Sequence, residues 1–317
     1  MMETASMVSR HFALQLRRRQ VRGMDPSFLW DAVFERMLER MQWVRQKPQS
    51  ILVLGDSRLG DAWRLAQSYP EATVLEHCVA HCGLEPSTRR RRFGGRGQQD
   101  RSGRPAFGSL WGRIGSFLGA PRRPNVLRVR GSALPFGVRD SVVDLLWLNG
   151  MLHWWGDCSQ HLRELRRIAK PGALLSFSLL GVDSFKELRP IAPGLMAFPD
   201  MHDLGDALVR AGWAEPVVDM DRVDLSWRQA STMLEDLRAL GGNCLEGRFR
   251  ALRGRDWQAA LLRSLESLRD SDGLIRVQVE LILGHAWRSA DPDNPGAWKP
   301  VHLAPRVARI GSATPSP

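Results

Sequence analysis

Two histidines and two cysteines near residue 80 have side chains of the kind that bind zinc in proteins. His77, Cys78, His81 and Cys82 lie within six consecutive positions. A structural zinc site needs a second pair of ligands at a matching spacing, and the sequence does not supply one. The other two cysteines are too scattered for that pair or for a disulfide scaffold, so we expect no metal and a reducing compartment.

Asp200, His202 and Asp203 form a second cluster whose residue types could bind a metal ion. They lie where a loop enters a segment with helical spacing. Aspartate is a common helix cap, because its carboxylate accepts a hydrogen bond from a backbone amide of the first turn. We therefore expect Asp203 to cap the helix and His202 to line a pocket or pack, and again we expect no metal.

Short apolar runs alternate with helical patterns along most of the chain. The runs are continuous, which is typical of strands buried on both faces of a parallel sheet. They cover residues 51–54, 72–75, 126–129, 142–148 and 173–179. Apolar residues at helical spacing mark residues 28–43, 62–69 and 161–168. The sequence therefore predicts a doubly wound α/β fold with a mostly parallel sheet and helices on both faces.

The chain carries a large positive charge. Its 317 residues include 45 Lys and Arg against 34 Asp and Glu, a net charge of +11. Such a surface attracts nucleic acid, anionic lipid or an acidic protein, although a solvated arginine-rich face explains it equally well. The arginines at 89–92 lack the interleaved aromatic residues that single-strand binders use, so we expect no specific nucleic acid. Because no apolar run reaches about 18 residues, we expect no transmembrane segment.

Composition divides the chain into one folded unit and three less regular segments. Residues 1–27 form a basic N-terminal arm, which we interpret as part of the mature protein because Glu3 interrupts it and no apolar signal core follows. Residues 28–288 form the predicted domain. Within it, residues 86–124 are a basic insertion with an amphipathic stretch, which fits a membrane-surface or partner-binding element, or a helix that packs on the domain. Residues 289–317 form a proline-rich tail.

Several segments occur in the order typical of one enzyme class. They are Gly55 after the first strand, Glu76 closing the second, and then ALPF (133–136), VDLL (143–146), LHW (152–154) and KPGALLSFS (170–178). In this order the chain resembles the class I S-adenosylmethionine-dependent methyltransferases.

Three further segments narrow the resemblance. FPDMHDLGDAL (198–208), LGHAW (283–287) and SRHF (9–12) are similar to segments of the malonyl-acyl-carrier-protein O-methyltransferases of biotin synthesis. The methyltransferase-like assembly factors of respiratory complex I share that family. The resemblance covers residues 9–288 apart from the basic insertion.

The resemblance implies S-adenosyl-L-methionine as the cofactor, bound at the carboxyl ends of the first strands. A glycine turn there lets the backbone approach the ligand closely, and a carboxylate after the second strand binds the ribose hydroxyls. A helical cap at about residues 220–270, including a helix over 227–240, is expected to cover that end. The residues expected to contact the cofactor are Gly55, Asp56, Gly60, Glu76, Ser132, Ala133 and Asn149, with Ser132 standing where the family has an aspartate.

The resemblance also implies that the methyl acceptor is a malonyl thioester on acyl carrier protein, an acidic partner that suits the net charge. Its carboxylate is already an anion near neutral pH and needs no general base, so no catalytic residue is assigned. It does need alignment and a counter-charge. The residues expected near the substrate are His153, Trp154, His202, Arg248 and His285. The lack of a clean transit signal favours the bacterial cytoplasm over the mitochondrial matrix.

The first cofactor motif departs from the family pattern, which has an acid and three glycines around the end of the first strand. Val53 stands in place of the acid, Ser57 and Leu59 stand in place of two glycines, and Gly60 lies one position late. A leucine is an obstacle where a turn needs positive φ or where a ligand must approach the backbone.

Two interpretations follow from this departure. In one, the protein is a working methyltransferase with a rebuilt loop, in which Asp56 or Asp61 supplies a polar contact. In the other, it is a catalytically inactive methyltransferase fold that acts as an assembly or binding factor. Because Glu76 and Asn149 are retained, we expect cofactor binding that is measurable but weaker than the full glycine motif would give.

Overall fold

A computed structural model of the chain describes residues 27–44, 46–55, 59–78, 125–130, 134–155, 157–192, 197–240 and 254–289. The N-terminal arm apart from residue 27, the basic insertion at 86–124, and the proline-rich tail apart from residue 289 lie outside these residues. The same holds for four of the predicted site residues, which are Asp56, Ser132, Ala133 and Arg248.

Within the described residues, seven strands form one sheet in the order β3-β2-β1-β4-β5-β7-β6. The strands are β1 (Ser50–Leu54), β2 (Thr73–Cys78), β3 (Val126–Arg130), β4 (Val143–Leu148), β5 (Ala169–Leu180), β6 (Trp213–Trp227) and β7 (Ile275–Arg288). The first five pair in parallel, whereas β7 is antiparallel to both β5 and β6. The apolar runs are therefore strands of one mostly parallel sheet, and the predicted α/β fold is confirmed.

Six α-helices occur in the same part of the chain. They are α1 (Ser27–Met41), α2 (Asp61–Ser68), α3 (Ser159–Ile168), α4 (Met201–Arg210), α5 (Ala230–Leu240) and α6 (Arg255–Glu266). The first three match the predicted helical segments. Among these described helices, none has the length and apolar character needed to cross a bilayer.

Helix α1 packs on the sheet near the carboxyl end of β4. The rings of Phe34 in α1 and Trp147 in β4 lie 5.1 Å apart between centroids. Both side chains are buried, as are the apolar residues of β1. Burial of these two large aromatic side chains stabilises the fold by several kcal/mol and so holds α1 over the strand ends.

The predicted helical cap differs from the structure at its start, because residues 220–227 belong to β6. Partly buried side chains recur there at every second position, first Val218 and Met220 and then Val223 and Leu225. This is the period of a strand with one face towards the protein interior. Charged residues between the apolar ones break up the continuous run that identifies the central strands. In the described part of this region, helices follow at residues 230–240 and 255–266.

Strand β6 lies at one edge of the sheet and exposes a row of carboxylates. Asp219, Asp221 and Asp224 are all exposed. Asp219 pairs with Arg40 and Asp221 pairs with Arg36, and both arginines belong to α1. Because these pairs are about half exposed, each stabilises the fold by no more than about 1 kcal/mol.

We expect Gly284→Ala to destabilise the protein, because β7 has no room for a side chain at this position. An added Cβ would lie 2.5 Å from Cζ of Phe177 and 2.7 Å from the backbone oxygen of Val217. Overpacking of this kind costs about 1–3 kcal/mol, measurable by urea unfolding. The matched control is Gly205→Ala in α4, where a Cβ meets no atom within 4 Å and should stabilise the helix. Equal effects of the two changes would contradict this account.

Candidate functional site

The carboxyl ends of β1 and β4 bring two predicted cofactor residues together. Val53 of β1 pairs with Trp147 of β4, so Gly55 and Asn149 follow neighbouring parallel strands at the same edge. A Cβ added to Gly55 would lie 3.7 Å from the backbone oxygen of Asn149. The two residues therefore meet at the edge where parallel α/β sheets bind their ligands.

The side chain of Asn149 is buried and forms hydrogen bonds through both its nitrogen and its oxygen. Its Nδ2 donates to the backbone oxygen of Trp30 at 3.1 Å, and its Oδ1 accepts a hydrogen bond from the hydroxyl of Ser178 at 2.9 Å. The next residue, Gly150, has φ of +66°, and a Cβ there would lie 2.9 Å from the ring of Trp30. The Asn149–Gly150 segment is thus held between α1 and β5.

Glu76 is buried but does not close its strand. β2 continues through Cys78, because its pairing with β3 extends to Cys78 and Arg130. The prediction that the strand ends at Glu76 is therefore wrong by two residues. Glu76 lies level with Val53 of β1, and its Oε2 accepts a hydrogen bond from Nε of Arg128 at 2.6 Å. A buried carboxylate requires such a partner.

The turn between β1 and α2 uses Gly60 for its left-handed residue. Gly60 has φ of +75° and immediately precedes α2. Glycine adopts this conformation without strain, so the glycine that lies one position late in the sequence meets a requirement of this turn. The side chain of Leu59 is 8% exposed and belongs to the hydrophobic core.

Asp61, the first residue of α2, carries a buried carboxyl group beside these strand ends. Its Oδ2 accepts a hydrogen bond from the indole of Trp147 at 3.1 Å. Its Oδ1 is also buried and has no hydrogen-bond partner among the described residues. Burial raises the pKa of Asp61 from 3.8 to about 7, an effect that the side chains of Asn149 and Trp147 only partly oppose.

His153 and Trp154 lie in a short 3-10 helix at Leu152–Trp155, just after Asn149, and both are buried. The ring of His153 stacks on Trp30 at 6.0 Å and meets Phe198 edge-on at 5.7 Å. Trp30 therefore contacts both Asn149 and His153. The structure gathers Gly55, Asn149, His153 and Trp154 at one end of the sheet.

His285 and His202 lie in other environments. His285 of β7 pairs in register with Ser176 of β5, which lies two residues before Ser178. The side chain of His285 lines a small pocket with Met37 and Arg40 of α1. Burial, and then the nearby Arg40, lower the pKa of His285. His202 is exposed in the first turn of α4.

The predicted cap of α4 is wrong by three residues. Asp200, not Asp203, caps the helix, and its carboxylate accepts a hydrogen bond from the backbone amide of His202 at 2.7 Å. Asp203 already lies inside the first helical turn. No group of three or more potential ligand side chains that could hold a metal ion occurs in the described parts of the chain.

Trp30, Arg128 and Trp147 are parts of this site that the motifs did not indicate. Trp30 lies in a helix far from the strand ends in sequence, and Trp147 looks like any other apolar residue of a central strand. Arg128 is one arginine among many. Only the pairing of the strands and the packing of α1 bring them to the site, so a local motif could not have identified them.

Strand order, the glycine turn after β1 and the polar residues after β4 together define a class I S-adenosylmethionine-dependent methyltransferase. Residues 119–177 match the family model described as a methyltransferase domain. A malonyl-[acyl-carrier protein] O-methyltransferase of Gallionella capsiferriformans is 34% identical over 306 residues, covering 93% of this chain and 91% of that protein. One from Nitrosospira multiformis is 33% identical over 269 residues, covering 81% and 82%. The chain belongs to the malonyl-[acyl-carrier protein] O-methyltransferase family.

We expect Asp61→Asn to remove a pH dependence of stability. Because the folded pKa of about 7 exceeds the ordinary 3.8, the stability that Asp61 contributes is full below about pH 4 and is lost as the pH rises through about 7. Asparagine stays neutral. When the pH is raised from 5 to 8, the unfolding free energy of the wild type should therefore fall by about 2–3 kcal/mol relative to that of the variant.

Urea unfolding at the two pH values measures this difference directly. The control is Asp206→Asn, which neutralises an exposed carboxylate of α4. Taking differences from the wild type cancels the titration of all other groups. A gain that is the same at both pH values would contradict the raised pKa of Asp61.

Proposed function

We propose that this protein transfers a methyl group from S-adenosyl-L-methionine to the free carboxylate of a malonyl thioester on acyl carrier protein, a step in the synthesis of the biotin precursor. The observation that carries the proposal is the 34% identity to a malonyl-[acyl-carrier protein] O-methyltransferase over 93% of this chain. Similarity that extends along nearly the whole chain includes both the parallel sheet and the C-terminal segments that follow it.

The strand ends supply groups that fit the cofactor. Gly60 provides the left-handed turn before α2, Asn149 fixes the segment after β4, and the buried Oδ1 of Asp61 is available for a donor. Gly55 and Glu76 complete the set, and Asp56, Ser132 and Ala133 are the further proposed contacts. When bound, S-adenosyl-L-methionine supplies a methyl group on a sulfonium, which a carboxylate oxygen can accept to give a methyl ester and S-adenosylhomocysteine.

The acceptor needs position and charge balance from this chain but no proton transfer. A carboxylate near neutral pH is already ionised, so the protein does not need a general base. His153 is buried between Trp30 and Phe198, and Trp154 is buried beside His153, which supports a role in excluding water beside the reacting groups. Arg248, His202 and His285 are the further proposed substrate contacts, with Arg248 as the counter-charge.

Acyl carrier protein is the proposed partner because its acidity complements this chain. The net charge of +11 favours encounter with an acidic protein through long-range attraction. Such attraction weakens with salt, so the apparent KM for the carrier protein should rise with ionic strength. The proposed location is the cytoplasm.

A second candidate function is that of an inactive assembly or binding factor. The observation that favours it is the apolar, buried character of Val53 and Leu59, which stand where the family has an acid and a glycine. Calorimetric titration with S-adenosyl-L-methionine and S-adenosylhomocysteine separates the two functions, because an inactive factor of this kind gives no heat with either ligand.

Activity is tested by mass spectrometry of the carrier protein after incubation with the protein and S-adenosyl-L-methionine. We expect a methyl ester on malonyl-acyl carrier protein and none on acetyl-acyl carrier protein, which lacks the free carboxylate. Cofactor binding without methyl transfer to the malonyl form would show that the acceptor is wrong. Absence of both binding and transfer would favour the inactive factor.

We expect Glu76→Gln to weaken cofactor binding, since it removes the charge that accepts hydrogen bonds from ribose hydroxyls. Loss of a charged hydrogen bond costs about 1.5–3 kcal/mol, or about a 10- to 100-fold rise in Kd measured by calorimetry. Asp206→Asn removes an equal charge from the exposed face of α4 and should leave Kd unchanged. An unchanged Kd in Glu76→Gln would exclude Glu76 from the cofactor site.

A further inference from the structure

Asp61 lies beside the position where the family's first motif has its acid. Val53 stands at that position and pairs in register with Trp147 of the neighbouring parallel strand. Register partners in a parallel pair project from the same face of the sheet. The indole of Trp147 donates to Oδ2 of Asp61 at 3.1 Å, so the carboxyl group lies on the face of β1 and β4 from which Val53 projects.

One oxygen of this carboxyl group makes no hydrogen bond of normal geometry within the described residues, although the side chain of Asn149 lies near enough to favour the ionised form. Oδ1 is buried without a hydrogen-bond partner among the described residues, although Asp61 as a whole is only 5% exposed. A buried acceptor without a donor costs free energy, which a donor from a bound ligand recovers. An ammonium group suits this acceptor best, since it offers three donors and a positive charge.

Other charged groups near Asp61 do not satisfy it. Arg64, one turn further along α2, pairs with Asp31 and Glu35 of α1, and its guanidinium lies 3.7 Å from the centre of the Phe34 ring. Arg64 favours the ionised form of Asp61 and Asp31 disfavours it, but both effects are smaller than that of burial. Arg64 is thus directed towards the carboxylates of α1.

We propose that Asp61 replaces the acid missing at position 53 and binds the α-ammonium group of the cofactor's methionine moiety. This inference rests on the proposed function, because it requires S-adenosyl-L-methionine at the strand ends. In this chain the acid is found at the start of α2 instead of at the end of β1. The left-handed Gly60 sets the direction in which α2 begins. The first cofactor motif therefore has a different arrangement in this chain but still contains one carboxylate, that of Asp61.

Binding of an ammonium group to Asp61 changes the number of protons that the protein holds. The cation stabilises the ionised carboxylate, so Asp61 loses its proton when the cofactor binds. With a pKa of about 7 in the free protein, about half a proton per cofactor should be released at pH 7. Titration of the protein with S-adenosylhomocysteine in buffers of different ionisation enthalpy measures this release.

The decisive experiment compares two ligands in wild type and Asp61→Asn. S-adenosylhomocysteine carries the amino acid moiety, whereas 5′-methylthioadenosine has the same nucleoside and sulfur without it. We expect the variant to bind S-adenosylhomocysteine about 10- to 100-fold more weakly, to release no proton, and to bind 5′-methylthioadenosine as the wild type does. Asp206→Asn should behave as wild type in every measurement.

Each other outcome has a defined meaning. Equal weakening of both ligands would mean that Asp61 shapes the pocket and does not bind the ammonium group, which overturns the inference. Unchanged binding of S-adenosylhomocysteine in the variant would overturn it too, while the proposed function stands. If wild type binds neither ligand, the proposed function fails together with this inference. Unfolding of Asp61→Asn in urea verifies that the variant is folded.

Discussion

The buried amide of Asn149 joins three elements at the edge where the parallel strands end. It binds the backbone of α1 through Trp30 and the hydroxyl of Ser178 in β5, and its own backbone follows β4. A buried amide that loses one of these partners costs about 1–3 kcal/mol, so its satisfaction constrains where α1 can lie. The position of α1 in turn sets Trp30 against His153, and therefore determines the wall of the proposed substrate pocket.

Two buried carboxyl groups near this edge show opposite solutions to the same electrostatic problem. Glu76 accepts a hydrogen bond from Arg128, so its charge is compensated inside the protein. Asp61 is bound by the neutral indole of Trp147, and burial raises its pKa to about 7. A carboxylate whose charge is already compensated can accept hydrogen bonds from neutral hydroxyl groups. A carboxylate whose charge is poorly compensated favours a cationic ligand. We therefore propose the two acids for different parts of the cofactor.

The sequence predicts the central sheet well because strands buried on both faces are continuous apolar runs, as in β1, β4 and β5. β6 has one exposed face, and its alternation is hidden by charged residues, so residues 220–227 were expected in a helical cap. The end of β2 depends on pairing with β3, which local sequence does not show. The contact between Asp61 and Trp147 joins residues 86 positions apart, and the sequence suggested only that Asp61 could supply some polar contact.

The carboxylates of β6 also bear on how copies of this protein meet one another. A long strand at a sheet edge presents unpaired backbone groups that can template aggregation. Asp219, Asp221 and Asp224 are exposed on this edge strand, and charged side chains on an edge strand disfavour pairing with a strand of another copy. Asp219 and Asp221, which also pair with α1, thereby help to keep the edge formed by β6 from polymerising.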